Sequence, residues 1–362
     1  YVRSQVTAVS DVEYIKDTAL DFCKKQNLKS AMVKSIGLLQ NSSFDEISQV
    51  INDSLKLGMD NDEGYDYKKD FEERFKPRFR NPAATGWPLV DDTCKGGLGQ
   101  KELGVVIAPT GAGKSMALVH LGTQALKEGK TVIHYTLELQ DTVVATRYDS
   151  CLTKIALEDL MTFKEKIYEE VSDIEGKLIV KEYPTKTATT QSIRNHLEKL
   201  KMRDIIADIV IVDYGDLLRP MRYLKEKRNE LESIYEELRA IATEYKIPVW
   251  TAPQTNRAGL NAEVITMESI SEAFNKCFVA DFIFTISRTI EDKTTNGGRM
   301  FIAKNRNGPD GIIFPLFMDT SNVCIKVLEP LEENELMEVS AKKQKENLIE
   351  KYKKFKKNAG GQ

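Results

Sequence analysis

The chain has 362 residues, 41% of them hydrophobic and 30% charged, with a formal net charge of −3. That length allows one large folded domain with additions, and the slight acidity excludes a uniformly basic nucleic-acid coat while leaving room for a local basic channel. Five scattered cysteines without a C-x-x-C pair and only His120, His134 and His196 speak against zinc, disulfide and histidine–metal frameworks.

The first residue is Tyr1, so the chain reads as a fragment or a processed product. Residues 11 to 37 and 44 to 57 repeat apolar positions at spacings of three and four, which predicts two amphipathic helices, the second entered from Asn41-Ser42-Ser43. Residues 58 to 66 (GMDNDEGYD) are polar, acidic and glycine-containing, as a linker is. DYKKDFEERF then predicts a short helix with Tyr67, Phe71 and Phe75 along one side. Such a helix suits either a satellite of its own domain or a docking element on another subunit.

From Leu103 the texture changes to short β-rich runs alternating with helical stretches. The runs are LGVVIA, TVIHYTL, KLIVKEY, DIVIVDY, IPVWTAP, DFIFTIS, MFIAKNR and IIFPLF. This alternation predicts an α/β fold, a mostly parallel sheet between helices whose later strands form hairpins. The last residues, 334 to 362, are rich in lysine and read as a basic tail, partly helical or disordered. No segment is apolar enough to span a membrane, none reads as a signal peptide, and reduced buried thiols suit an intracellular protein.

Residues 108 to 115, APTGAGKS, lie between an apolar strand and a helical run. This is the context of a phosphate-binding loop, in which glycines let backbone N–H groups wrap phosphate oxygens at a helix N-terminus. Ala108, Pro109, Thr110, Gly111, Ala112, Gly113, Lys114, Ser115 and the following Met116 would line it. Lys114 would reach the β and γ phosphates of ATP and the Ser115 hydroxyl would hold Mg²⁺. Ala108 stands where the strict pattern has glycine. IVIVDYGD supplies a carboxylate, Asp213, at the end of a buried strand, with Asp216 as a competitor past the strand end. TVIHYTLELQ ends its strand with Glu138, which would sit beside the γ-phosphate as a base if that strand neighbours the loop strand. IPVWTAPQTNR brings Gln254, an uncharged group suited to sensing that phosphate.

FIAKNRNGPDG, residues 301 to 311, puts Lys304 and Arg306 one residue apart before an Asn307-Gly308 turn signal. On a strand both point the same way, opposite to Ala303 and Asn305. Alone, a lysine on an edge strand only discourages sticking.

In sequence order, TGWPLVDDTCKGGLGQKELGVVIAPTGAGKS, TLELQ, IVIVDYGDLLRP, VWTAPQTNR, ADFIFTISR and IAKNRNGPDG resemble the DnaB-type hexameric replicative helicases, those of T-even-like phages most closely. Single motifs are shared with RecA and KaiC relatives, and K-x-R-N-G-P narrows the match. The resemblance implies a RecA-like ATPase domain over 83 to 333. It further implies that 1 to 58 is the closing helical hairpin of a truncated N-terminal domain, that 59 to 82 is a linker with a subunit-docking helix, and that 334 to 362 is the tail. It implies an ATP-driven ring that translocates on single-stranded DNA and unwinds duplex, with primase and helicase-loader partners, in the host cytoplasm if a phage encodes it. ATP would lie between subunits of a homo-hexamer, Lys304 and Arg306 reaching the neighbour's γ-phosphate. Arg219, Arg222, Lys225, Lys227, Arg228 and Arg257 would track the strand's phosphates in the channel, or else form a solvated basic face. SISEAFNKCFV departs from the family's Arg-Glu-Ser-Gly segment, and only Glu272 stands in register there. A filament-forming recombinase ATPase and a nucleotide-gated assembly scaffold are the alternatives.

Overall fold

The structure is a computed structural model that describes residues 8–39, 44–56, 66–69, 71–72, 75, 80–253 and 277–329. It divides into two compact units, Tyr1–Phe79 and Arg80–Gln362. In the first, α1 (Ala8–Leu39) and α2 (Phe44–Lys56) pack on each other. Helix α1 runs past the expected 11 to 37 at both ends. Asp45 and Glu46 in the first turn of α2 suit the positive end of its amide dipoles. Ala31 and Ser35, one turn apart, are buried, and Ser35 Oγ donates to the Ala31 carbonyl at 2.8 Å. Of the expected linker only Asp66 lies within the described residues. The described part of 66 to 75 is mostly turn, with the Asp66 carboxylate accepting from the N–H groups of Lys68 and Lys69, both at 2.9 Å. The Phe71 and Phe75 rings lie 5.1 Å apart.

The second unit opens with α3 (Pro88–Thr93) and is built on a nine-stranded sheet. Its strands are β1 (Leu103–Ile107), β2 (Thr131–Thr136), β3 (Lys177–Glu182), β4 (Ile209–Asp213), β5 (Val249–Thr251), β6 (Phe282–Ser287), β7 (Gly297–Asn305), β8 (Ile313–Asp319) and β9 (Cys324–Val327). The spatial order is β3-β2-β4-β5-β1-β6-β7-β8-β9, parallel through β6 and antiparallel after it. All eight expected runs are strands. The ninth, β9, was not expected: four residues with Lys326 exposed among them make too weak an apolar signal.

Alternation in the central strands sorts side chains to two faces. Leu103, Val105 and Ile107 join Val210, Val212 and Leu238 in one core, while Val106, Ile209, Ile211, Trp250 and Phe284 join Leu118 and Leu121 in the other. Helices α4 (Lys114–Lys127) and α5 (Asp141–Thr153) cover the second face, α7 (Thr190–Lys201) and α8 (Lys227–Tyr245) the first. Two short helices, α6 (Lys164–Ser172) and α9 (Ile290–Thr295), lie in the connections. Each fully buried Leu, Ile or Phe stabilises the fold by roughly 1.5–3 kcal/mol. The sheet is therefore a rigid platform for the loops at its two ends.

The hairpin of β7 and β8 is wider than Asn-Gly predicts. The strand register ends at Phe301 opposite Ile313. Ile302 N–H still donates to the Ile312 carbonyl at 2.9 Å and its carbonyl accepts from Gly311 N–H at 2.7 Å, and β7 then continues to Asn305 along β6. Asn305 donates to the Thr93 carbonyl at 2.9 Å, and a Cβ at Gly308 would collide with that same oxygen. The tip is thus shaped by packing on the end of α3.

Cys94, Cys151, Cys277 and Cys324 are buried thiols outside any disulfide; Cys23 is exposed, unlike the expected buried thiols. Among the described residues no helix is long and apolar enough to cross a membrane. The basic tail lies outside the described residues. Leu328, which closes the sheet with an N–H bond to the Pro315 carbonyl at 2.9 Å, is buried. Deleting residues 334 to 362 is expected to move the thermal midpoint by less than about 2 °C. A larger loss in a melting experiment would make the tail part of the core.

Candidate active site

Strand β1 ends at Ile107, and the chain then turns through Ala108 and Pro109, both buried. The Pro109 carbonyl accepts from Ala112 N–H at 3.1 Å. Gly111 (φ 75°) and Gly113 (φ 108°) occupy the left-handed region, which a side chain would strain. Gly113 caps α4, with no side-chain cap on the first-turn amides and no acidic residue in that turn. Such an end presents N–H groups and a positive dipole to an anion. Thr110 and Gly111 are exposed at the mouth; Lys114, Ser115 and Met116 are half-buried behind them.

The condition set for Glu138, that its strand neighbours the loop strand, is not met by the sheet order. Between β1 and the β2 strand leading to Glu138 stand β5 and β4. Helix α4 crosses that gap, packing against β1, β4 and β2, so its N-terminus faces the carboxyl end of β4. The end of β2 lies against the same place, with Leu137 N–H donating to the Asp213 carbonyl at 2.9 Å. Glu138 sits in the exposed bend after β2, not at the strand end. The Thr136 hydroxyl closes that bend, donating to the Leu139 carbonyl at 2.8 Å and accepting from its N–H at 3.2 Å.

Asp213 ends β4 with 2% of its surface exposed, and its Oδ1 has no hydrogen-bond partner among the described residues. Burial pushes its carboxyl up to about 6, reinforced by Glu138 and opposed by the Ser115 hydroxyl, Arg147 and Lys114. One carboxylate, one hydroxyl, one ammonium and a second carboxylate therefore meet at the end of β4. Arg147, on α5, joins them and was not anticipated. Tyr214 also belongs here: Lys114 Nζ lies 5.6 Å from its ring centroid, and burial with Glu138 nearby raises its hydroxyl to about 12. Asp216 is turned away, accepting from the Tyr235 hydroxyl at 2.6 Å. An orphaned buried carboxylate oxygen next to a serine hydroxyl fits a divalent cation, and the uncapped helix end fits a phosphate.

Asp213 has a pH signature. The folded chain holds its proton more tightly than the unfolded chain, where the value is near 3.8. Its stabilisation is therefore complete below about pH 4 and is lost as pH rises through about 6. Without nucleotide or divalent ions, Asp213→Asn should gain on the order of 3 kcal/mol over the unmodified chain between about pH 4 and pH 7. Urea melts at both pH values check this; a difference independent of pH would refute it.

Lys304 and Arg306 lie elsewhere. Asn305 pairs with Phe282, and Phe282 with Gly104, near the amino end of β1. The phosphate loop is at the carboxyl end, roughly 16 Å away along five strand residues. Lys304 Nζ donates to the Phe278 carbonyl at 2.6 Å and lies 4.6 Å from the ring centroid of Phe278. Arg306 Nη1 meets Asp281 Oδ1 at 3.0 Å. Neither cation is assembled with its own chain's phosphate loop.

Of the basic stretch, Arg222 and Lys225 are exposed on the segment after β4, while Lys227 and Arg228 are exposed in the first turn of α8. Arg219 is half-buried, its N–H donating to the Ala188 carbonyl at 2.8 Å. Lys186 Nζ pins the start of this segment through the carbonyls of Asp216 (2.5 Å) and Leu218 (2.9 Å). Gln254, Arg257 and Glu272 lie outside the described residues.

The model of the DnaB-like helicase C terminal domain family matches residues 83–322. A DnaB-like replicative helicase of Enterobacteria phage T4 is 28% identical over 260 residues, covering 68% of this chain and 54% of that protein. The chain spans about half the length of the curated relatives it matches. A solved structure of a DnaB-like replicative helicase and its interactions with primase superposes with a TM-score of 0.66 at 16% identity, over 90% of this chain and 81% of that one. A solved ATPase domain superposes at 0.61 and 17% identity, over 72% of this chain and 96% of its own length. The fold is thus that of a RecA-like ATPase domain.

Proposed function

The chain belongs to the DnaB-like helicase C-terminal domain family, and from that premise we propose that it is the ATP-driven motor of a hexameric replicative DNA helicase. The observation that carries this reading is the division of the catalytic groups between the two ends of one sheet. A chain with its phosphate loop at the carboxyl end of β1 and its Lys304–Arg306 pair at the amino end completes a site only against a second copy, head to tail.

In that site the first-turn N–H groups of α4 and the Lys114 ammonium bind the β and γ phosphates of ATP. Ser115 and Asp213 would hold Mg²⁺, which supplies charge neutralisation on the phosphate oxygens. Glu138 accepts the proton of the attacking water, and Gln254 senses the γ-phosphate. Lys304 and Arg306 of the adjacent subunit offset the charge that develops on the transferred phosphoryl group. Arg222, Lys225, Lys227 and Arg228, with Arg219 and Arg257, would make sequence-independent contacts to single-stranded DNA, beside the exposed ring of Tyr223.

Residues 1–58 would close an N-terminal domain, 59–82 would carry the linker docked on a neighbour, 83–333 would be the motor and 334–362 a basic tail. Primase is a partner by analogy with the solved helicase described with it, and a loader and a cytoplasmic location, that of the host if a phage encodes the chain, follow from the same role. The test is strand displacement on a forked duplex, with electron micrographs in a non-hydrolysable ATP analogue and single-stranded DNA. Six-membered rings and ATP-dependent displacement are expected. Filaments without displacement would favour a recombinase, and nucleotide-dependent assembly without displacement a scaffold.

A further inference from the structure

Three cations crowd around one carboxylate at the amino end of β6. Asp281 is 4% exposed and both its oxygens are engaged. Oδ1 accepts from Arg306 Nη1 (3.0 Å) and Arg239 Nη2 (2.9 Å), while Oδ2 accepts from Arg239 Nε (3.1 Å) and Leu103 N–H (3.0 Å). The backbone ties are as close: Asp281 N–H donates to the Leu103 carbonyl at 2.8 Å, and Arg306 N–H to the Asp281 carbonyl at 3.0 Å. Lys304 stands beside them on Phe278.

The two arginines are held differently. Arg239, from α8, takes the two-pronged geometry that a guanidinium and a carboxylate prefer. Arg306 is held end-on through Nη1, with 49% of its side chain exposed. Counting Lys304, Arg239 and Arg306 against Asp281 leaves two positive charges in excess. Lys304 feels this crowding, since burial first and then Arg306 and Arg239 lower its pKa, with Asp281 opposing. A buried carboxylate facing Arg306 alone would draw it into a two-pronged pair and spend it there. With Arg239 already in the fork, Arg306 is aimed without being consumed.

We propose that Asp281 and Arg239 are positioning residues for Arg306, Asp281 fixing where the guanidinium points and Arg239 keeping it from being captured. This rests on the reading that Arg306 serves the neighbouring subunit's ATP. Neither positioning residue touches nucleotide, so turnover responds while ATP binding does not.

The test is steady-state, DNA-stimulated ATP hydrolysis. Asp281→Asn keeps the shape and an acceptor for Leu103 N–H but removes the charge. It should lower kcat at least tenfold with KM for ATP within twofold. Arg239→Met, which leaves Arg306, among the described residues, as the one cation hydrogen-bonded to the carboxylate, should do the same. Asp281→Asn combined with Arg306→Ala should be no slower than Arg306→Ala alone, because Asp281 acts through that side chain. Thermal melts and binding of an ATP analogue verify folding, and if Asp281→Asn fails them, Arg239→Met decides. Unchanged kcat in the folded variants, or losses that multiply in the double variant, would overturn the proposal. The underlying reading fails separately, if Arg306→Ala itself turns over ATP at the unmodified rate.

Discussion

Arg306→Ala protein is expected to bind ATP at its own phosphate loop with unaltered affinity, yet to lose DNA-stimulated hydrolysis by roughly 10³-fold or more, the scale of a trans-acting arginine in related phosphoryl transfer. Arg306 lies at the amino end of the sheet, held on Asp281, while the loop it would leave intact is at the other end. Mixing this variant with Lys114→Ala protein makes the result decisive. Each is inactive alone, but a mixed assembly contains junctions with an intact Lys114 on one side and an intact Arg306 on the other. Those junctions should restore part of the ATPase, in proportion to how often they form. A cis-acting arginine predicts no restoration, since no chain in the mixture carries both groups. Failure to recover despite demonstrated co-assembly would return the hairpin to an ordinary sheet edge.

Glu138→Gln should slow hydrolysis by about 10²–10⁴-fold, the usual contribution of a general base, while leaving ATP and DNA binding intact. Lys114→Ala should also abolish turnover, but by a different route, weakening nucleotide-dependent assembly because the phosphates lose their main side-chain cation. Turnover and equilibrium binding of a labelled ATP analogue separate the two. Near-normal hydrolysis by Glu138→Gln would remove it from the role of base. Its exposed bend, braced by Thr136 and within the field of Asp213, is the geometry on which that role depends.

Local signals in the sequence carried the strands well because each central one is a continuous apolar run, such as IVIV before Asp213, that only a sheet buried on both faces satisfies. The loop, Lys114, Ser115 and Asp213 were legible for the same reason: each sits at a strand end or helix start with a local signature. The strand order was not legible. Nothing in TVIHYTL says that β4 and β5 intervene between it and β1, and Glu138 reaches the site through the span of α4. Arg147 escaped notice because a lone arginine on a helix reads as solvated. The Asp281–Arg239 contact joins residues 42 apart in sequence, and Asp281–Leu103 joins residues 178 apart, separations at which no periodicity speaks. The Asn-Gly hairpin was legible but the width of its tip was not, since that is set by a distant neighbour.

That neighbour changes how variation at Gly308 has to be understood. The residue is small because the carbonyl of Thr93 fills the space a side chain would need. Even a methyl group there must push the tip off the end of α3, and Arg306, two residues earlier, moves with it. A catalogue of variants scored on turnover alone would file Gly308 among the catalytic residues, although it carries no group able to do chemistry.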